Sequence, residues 1–181
     1  GPLVVSGFFD EASGVGRGAS LTLAALKASG FEPKPLHLRP LLAGHRGALP
    51  ATSPGGAWII HCNPDEAVRA LAYVDSAEWR GRRRIGYWAW ELPIAPPSWS
   101  RIARLFHELW VPSHFVAEAL KAGGVETRIQ VMPHPVSLPL PTPRRDRARF
   151  KWSETDFVVL VLGDSKSSAT RKNILGAIEI Y

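Results

Sequence analysis

The chain has 181 residues, 45% of them hydrophobic and 21% charged, with a formal net charge of +6 and a pI near 9.9. That length holds one full domain or a domain plus part of another, and the composition is too apolar for intrinsic disorder. No apolar run reaches the roughly 20 residues of a membrane span, no secretory leader pattern opens the chain, and the single cysteine, Cys62, excludes an internal disulfide framework and a multi-cysteine zinc site.

Residues 3–8 form a β-rich apolar run of the kind expected of a buried parallel strand. The following DEASGVGRGAS reads as a polar, Gly-rich turn, after which Leu21, Leu23, Ala24, Leu26 and Lys27 predict a helix that stops at Gly30. A second strand is expected within 32–38, and residues 39–56, rich in Pro, Gly and Ala, read as a long loop. WIIHC (58–62) is the third predicted strand; Asn63 or Asp65 then caps a helix running through Val68, Leu71 and Ala72. Residues 85–90 give a fourth strand, and a proline-rich turn leads to a helix near Ser98. A short strand at 109–111 precedes a helix capped by Ser113, with Phe115, Val116, Ala119 and Leu120 as its apolar face and Gly123-Gly124 as its end. Residues 128–132 are the last strand of this set.

Such alternation of strands and helices predicts an α/β domain with a parallel sheet. PHPVSLPLPTPRRDRARF then reads as an extended interdomain linker. Beyond it, residues 157–162 (FVVLVL) predict a buried strand, followed by the loop GDSKSSATRKN and a helix. The expected organisation is a domain over 1–138, a Pro/Arg-rich linker over 139–151, and over 152–181 the first strand-loop-helix of a second domain. The chain opens on glycine, and NILGAIEIY reads as a helix cut in mid-course, so a fragment is expected.

Two segments fit anion binding. Gly14, Gly16 and Ala19 match G-x-G-x-x-A ahead of a helix, where backbone amides approach a phosphate closely. Ser167, Arg171 and Lys172 precede the last helix, and two cations are poorly placed at a helix N-terminus unless a diphosphate sits between them. A third segment, GYWAWELP (86–93), ends three aromatics on Glu91, a carboxylate expected near the carboxyl end of a buried strand with Trp88 and Trp90 as apolar walls. His61, Ser113 and His134 complete the candidates at strand ends and turns; a core histidine, a helix cap and a turn residue are their plain structural readings. No histidine or carboxylate spacing marks a metal site. The arginines at 80, 82, 83 and 84 and the cluster from Arg144 to Lys151 read as solvated surface and charged linker.

GFFDEASGVGRGASLTLAALKASG, IGYWAWELPIAPPSW, HELWVPSHFVAEAL, VMPHPV and DSKSSATRKN, in that order, resemble bacterial retaining glycosyltransferases of the family four type, with the GT-B fold. The resemblance spans nearly the whole chain. It implies two Rossmann-like domains, the first holding the acceptor and the second a nucleotide-sugar donor. Gly14 and Gly16 would face the donor diphosphate, Arg171 and Lys172 would neutralise it, and Glu91 would lie near the reacting sugar. The resemblance implies no obligatory metal or separate cofactor; the nucleotide sugar is a substrate, and the acceptor is a saccharide, a lipid-linked molecule or a protein. A cytoplasmic protein is expected, with possible peripheral contact at the inner face of the membrane. The chain departs from the family where Asp164 follows Gly163 and where Asn173 follows Lys172. Ending at Tyr181, it lacks the later paired glutamates of such enzymes, so turnover by this piece alone is not expected.

Two rival readings rest on other features. GVGRGA supports a dinucleotide-binding oxidoreductase domain, although residues 38–39 offer no acidic partner for a ribose. The arginine clusters support a basic binding module without chemistry, but no nucleic-acid motif accompanies them, and nucleic acid is not an expected partner.

Overall fold

The computed structural model of the chain describes residues 1–11, 13–50, 55–136, 146–163 and 172–180. It divides into two compact units, Gly1–Leu138 and Pro139–Tyr181.

The first unit is an α/β domain on a six-stranded sheet, every neighbouring pair parallel: β1 (Leu3–Gly7), β2 (Lys34–His37), β3 (Ala57–His61), β4 (Arg83–Tyr87), β5 (Glu108–Val111) and β6 (Ile129–Val131). Their order across the sheet is β2-β1-β3-β4-β5-β6. The chain therefore leaves β1 toward one edge and returns on its other side, which makes a switch point between β1 and β3. Among the described residues six helices connect the strands: α1 (Gly14–Ala28), α2 (Leu38–Leu42), α3 (Pro64–Tyr73), α4 (Ser76–Trp79), α5 (Trp99–Ala103) and α6 (His114–Ala122).

Sequence neighbours on a strand point to opposite faces, so a run apolar at every position needs cover on both sides. Val4, Trp58 and Ile60 enter the larger core with side chains of α2, α3, α5 and α6, while Val5, Ile59 and Ile85 pack on the other face beneath Leu23 and Leu26 of α1. Farther along the α1 face the sheet turns polar. Glu108 accepts from Arg83 Nη2 at 2.6 Å and from Trp110 Nε1 at 2.8 Å, with Arg128 Nε 3.9 Å away. Burial pushes the Glu108 carboxyl up, but the bonds from Arg83 and Trp110 outweigh it and hold the group below the usual carboxylate range.

Several expectations shift. The Gly-rich segment expected as a turn is the first turn of α1, whose end at Gly30, φ +84°, lies where predicted. The expected loop 39–56 contains most of α2: Pro40 falls in its first turn, where a missing N–H costs nothing, and Leu38 and Leu41 are both buried. On α6, Ala117 is buried, whereas Phe115 is 53% exposed. The arginines of 80–84 are not simply solvated. Arg82 is buried and donates to the Glu78 and Gly55 carbonyls, and Arg84 donates to the Leu105 carbonyl.

In the second unit a short 3-10 helix (Ala148–Phe150) and a helix α7 (Ile174–Glu179) are present. The buried strand expected at 157–162 is absent: Phe157, Leu160 and Leu162 are 84%, 76% and 77% exposed. A strand is stable only beside another, and among the described residues of this unit there is none to pair with. Among the described residues no helix is long and apolar enough to cross a membrane.

Candidate functional site

The carboxyl ends of β1 and β3 diverge into α1 and α3, opening a crevice at the switch point where α/β sheets bind ligands. Ser13 caps α1 and accepts from the Gly16 amide at 3.1 Å. That leaves the amides of Gly14 and Val15, which an α-helix cannot satisfy internally, without a partner among the described residues. The glycines divide by role. A Cβ on Gly16 would stand 2.4 Å from the Phe8 carbonyl oxygen and 2.8 Å from that of Glu11, so Gly16 is dictated by backbone packing. Gly14 has open space where its Cβ would be. Gly18 lies beneath His134, whose Cε1 would be 3.2 Å from a Cβ there.

The register of the sheet sets His61 of β3 beside Tyr87 of β4, and their rings stack at 4.1 Å with 14° between planes. His61 Nε2 meets Thr22 Oγ1 of α1 at 2.9 Å. Burial, with His134 as a second influence, lowers the His61 pKa to about 3, so the ring is neutral at physiological pH. Tyr87 stacks in turn on His134, centroids 5.2 Å apart. Its hydroxyl donates to the Met132 carbonyl at 2.6 Å and lies 3.1 Å from His134 Nδ1. Burial pushes the Tyr87 phenol up to about 12 and lowers the His134 imidazole.

Asn63 occupies the cap position of α3, yet its side chain makes no capping bond; Oδ1 accepts instead from the Ala89 amide at 3.1 Å. This bond ties the turn after β3 to the loop after β4. That loop carries Glu91, because β4 ends at Tyr87, so Glu91 is an exposed loop residue rather than the end of a strand. Gly14, Val15, His61, Asn63, Tyr87, Ala89, Glu91 and His134 enclose a cavity of about 290 Å³. A second cavity, about 310 Å³, adjoins it through Val15 and Asn63 and is walled by Phe8, Glu11, Ser13, Leu42, Cys62 and Glu66.

Of the residues singled out in the sequence, Gly14, His61, Glu91 and His134 share one cavity, though 120 positions separate the first from the last. Gly16 is not among the lining residues and its amide is taken by Ser13, so it is not placed for the phosphate contact expected of it; Val15 lines the cavity. Trp88 is not a wall: it is fully buried in the core against Trp99 and Phe106. Trp90 lies beside the site, its ring against Trp99 and its Nε1 donating to the Ile94 carbonyl. Ser113 caps α6 by accepting from the Val116 amide. Lys172 is exposed ahead of α7, and Ser167 and Arg171 lie outside the described residues. Sequence reasoning passes over Tyr87 and Thr22 and gives Asn63 only as a helix cap. The parity of β4 marks Tyr87, two residues beyond the buried Ile85 and on its face.

Among the described residues no group of three His, Cys, Asp or Glu could hold a metal ion. The end of β2 runs from His37 directly into α2, and the nearby Arg39 pairs with Asp10 and Glu11, so no carboxylate belongs to β2 itself for a dinucleotide ribose. Comparison with protein-family models, with curated proteins and with solved structures finds no match to this chain.

Proposed function

We propose that the chain is the acceptor-side part of a retaining glycosyltransferase of the GT-B type, which moves a sugar from a nucleoside-diphosphate sugar to a hydroxyl acceptor. The observation that supports this reading most is the content of the switch-point cavity. The Gly14 and Val15 amides at a helix N-terminus, without a partner among the described residues, suit a phosphoryl oxygen. The same cavity is lined by the exposed Glu91 carboxylate and His134 imidazole, polar groups suited to the hydroxyls of a pyranose. In this reading Gly14 and Val15 bind the donor diphosphate, and Glu91 accepts a hydroxyl or stabilises positive charge building on the sugar. The departing phosphate itself takes the acceptor proton, so no side chain need act as base. The protein works in the cytoplasm, in peripheral contact with the inner face of the membrane when the acceptor is lipid-linked.

The test is to incubate the whole protein that carries this chain with UDP-, GDP- and ADP-sugars and acceptors, following nucleoside diphosphate release and the anomer formed. Release with retained configuration, lowered at least tenfold by Glu91→Gln while the melting temperature holds, is the expected result, roughly the loss of one charge-assisted contact in the transition state. No release from any donor would remove the proposal, and inverted configuration would replace it with a different transferase.

A further inference from the structure

A phenol carries one proton, and the position of that proton at Tyr87 fixes the state of its neighbour. The Tyr87 hydroxyl is 2.6 Å from the Met132 carbonyl oxygen, which can only accept, so the phenolic proton is spent there. The contact of 3.1 Å between the same hydroxyl and His134 Nδ1 must then take its proton from the imidazole. A neutral His134 is accordingly protonated on Nδ1, the tautomer that leaves Nε2 with a lone pair. No partner for Nε2 exists among the described residues, while His134 forms part of the cavity wall and is held by the Tyr87 ring and by the bare backbone of Gly18.

From this geometry we infer that Tyr87 is a positioning residue that holds His134 as its Nδ1–H tautomer, so that His134 Nε2 accepts a hydrogen bond from a ligand hydroxyl in the switch-point cavity. The inference deepens the proposed function by giving the hydroxyl-bearing substrate a named partner. It also gives a role to the contacts of a solvent-exposed histidine set between two prolines, whose ring meets Tyr87 on one side and Gly18 on another. Swapping the tautomer would present a donor to the ligand in place of an acceptor, and a hydroxyl could then meet it only through its own oxygen.

Nitrogen-15 NMR of the histidine side chains reads the tautomer directly, with no transfer reaction required. In the wild-type protein His134 is expected as Nδ1–H, and its Nε2 resonance should move on titration with at least one of methyl α-glucopyranoside, methyl α-mannopyranoside and methyl α-galactopyranoside. Tyr87→Phe removes the hydroxyl that fixes the ring; the Nε2–H form should then become populated and the affinity for that glycoside fall roughly tenfold, the scale of one hydrogen bond. A wild-type His134 protonated on Nε2 would overturn the inference, whatever becomes of the variant's folding. So would an Nε2 resonance that no glycoside moves, or a folded Tyr87→Phe protein with unchanged tautomer and affinity. If the tautomer and glycoside results hold while no sugar donor is consumed, the transferase reading falls and this site remains.

Discussion

At Gly14 and Gly16 two glycines one residue apart answer to different constraints. A methyl group on Gly16 would press on the Phe8 and Glu11 carbonyl oxygens, backbone atoms that cannot swing aside. Gly16→Ala should therefore destabilise the domain by about 1–3 kcal/mol, read as a lower urea midpoint. Gly14→Ala meets empty space at the first residue of α1 and should change stability by less than about 0.5 kcal/mol, while narrowing the cavity that Gly14 borders. Equal losses from the two substitutions would mean that the first turn of α1 is not packed as described. The G-x-G-x-x-A pattern read as a turn ahead of the helix rather than as its first turn, and it could not rank its glycines, because the deciding contacts come from residues 8 and 11. His61 was similarly ambiguous in the sequence. Its partner Thr22 lies 39 positions away, and only helix packing brings them together.

Among the elements, β5 is the one whose chemistry runs against its place in a buried sheet. Glu108 lies almost wholly out of solvent at its start, held by Arg83 of the adjacent strand and by Trp110 two residues on. Since its folded pKa is depressed, the stabilisation from this carboxylate is fully present above the unfolded value, about 4.3, and is lost as pH falls through the folded one. Glu108→Ala should cost about 1–2 kcal/mol at neutral pH, at the lower end because Arg83 is half exposed and screened. The difference from wild type should shrink as the pH is taken below 4, and a gap that stayed constant across that range would show the ion pair to be incidental. Strands and helices were readable wherever the apolar period was long: β1, β3 and α6 lie within a residue or two of expectation. The short helices α2 and α4 escaped because four or five residues carry too little period to see. Residues 157–162 show the reverse error, since β-branched composition reports what could pair and says nothing of whether a partner strand is present.

On the scale of the molecule, the sheet order determines where function can sit, and local sequence does not contain that order. Strand alternation announced a parallel α/β layer; the placement of β1 between β2 and β3, and hence the crevice, follows only from the assembled sheet. The same assembly predicts an uneven response to hydrogen exchange. Amides of β1, β3 and β4, paired on both sides and covered by helices, should exchange most slowly, and those of 157–162 should exchange fastest. Slow exchange across 157–162 would instead reveal a strand with a partner.

The bond from Ala89 to Asn63 has a consequence for energetics at this crevice. A ligand that settles on a floppy loop must first freeze it, and the lost freedom is subtracted from its grip. Here one amide oxygen, given up by the cap of α3, has fastened the two rims of the crevice before any ligand arrives. The helix is left without a side-chain stopper at its start, and that deficit of folding energy is converted into readiness to bind.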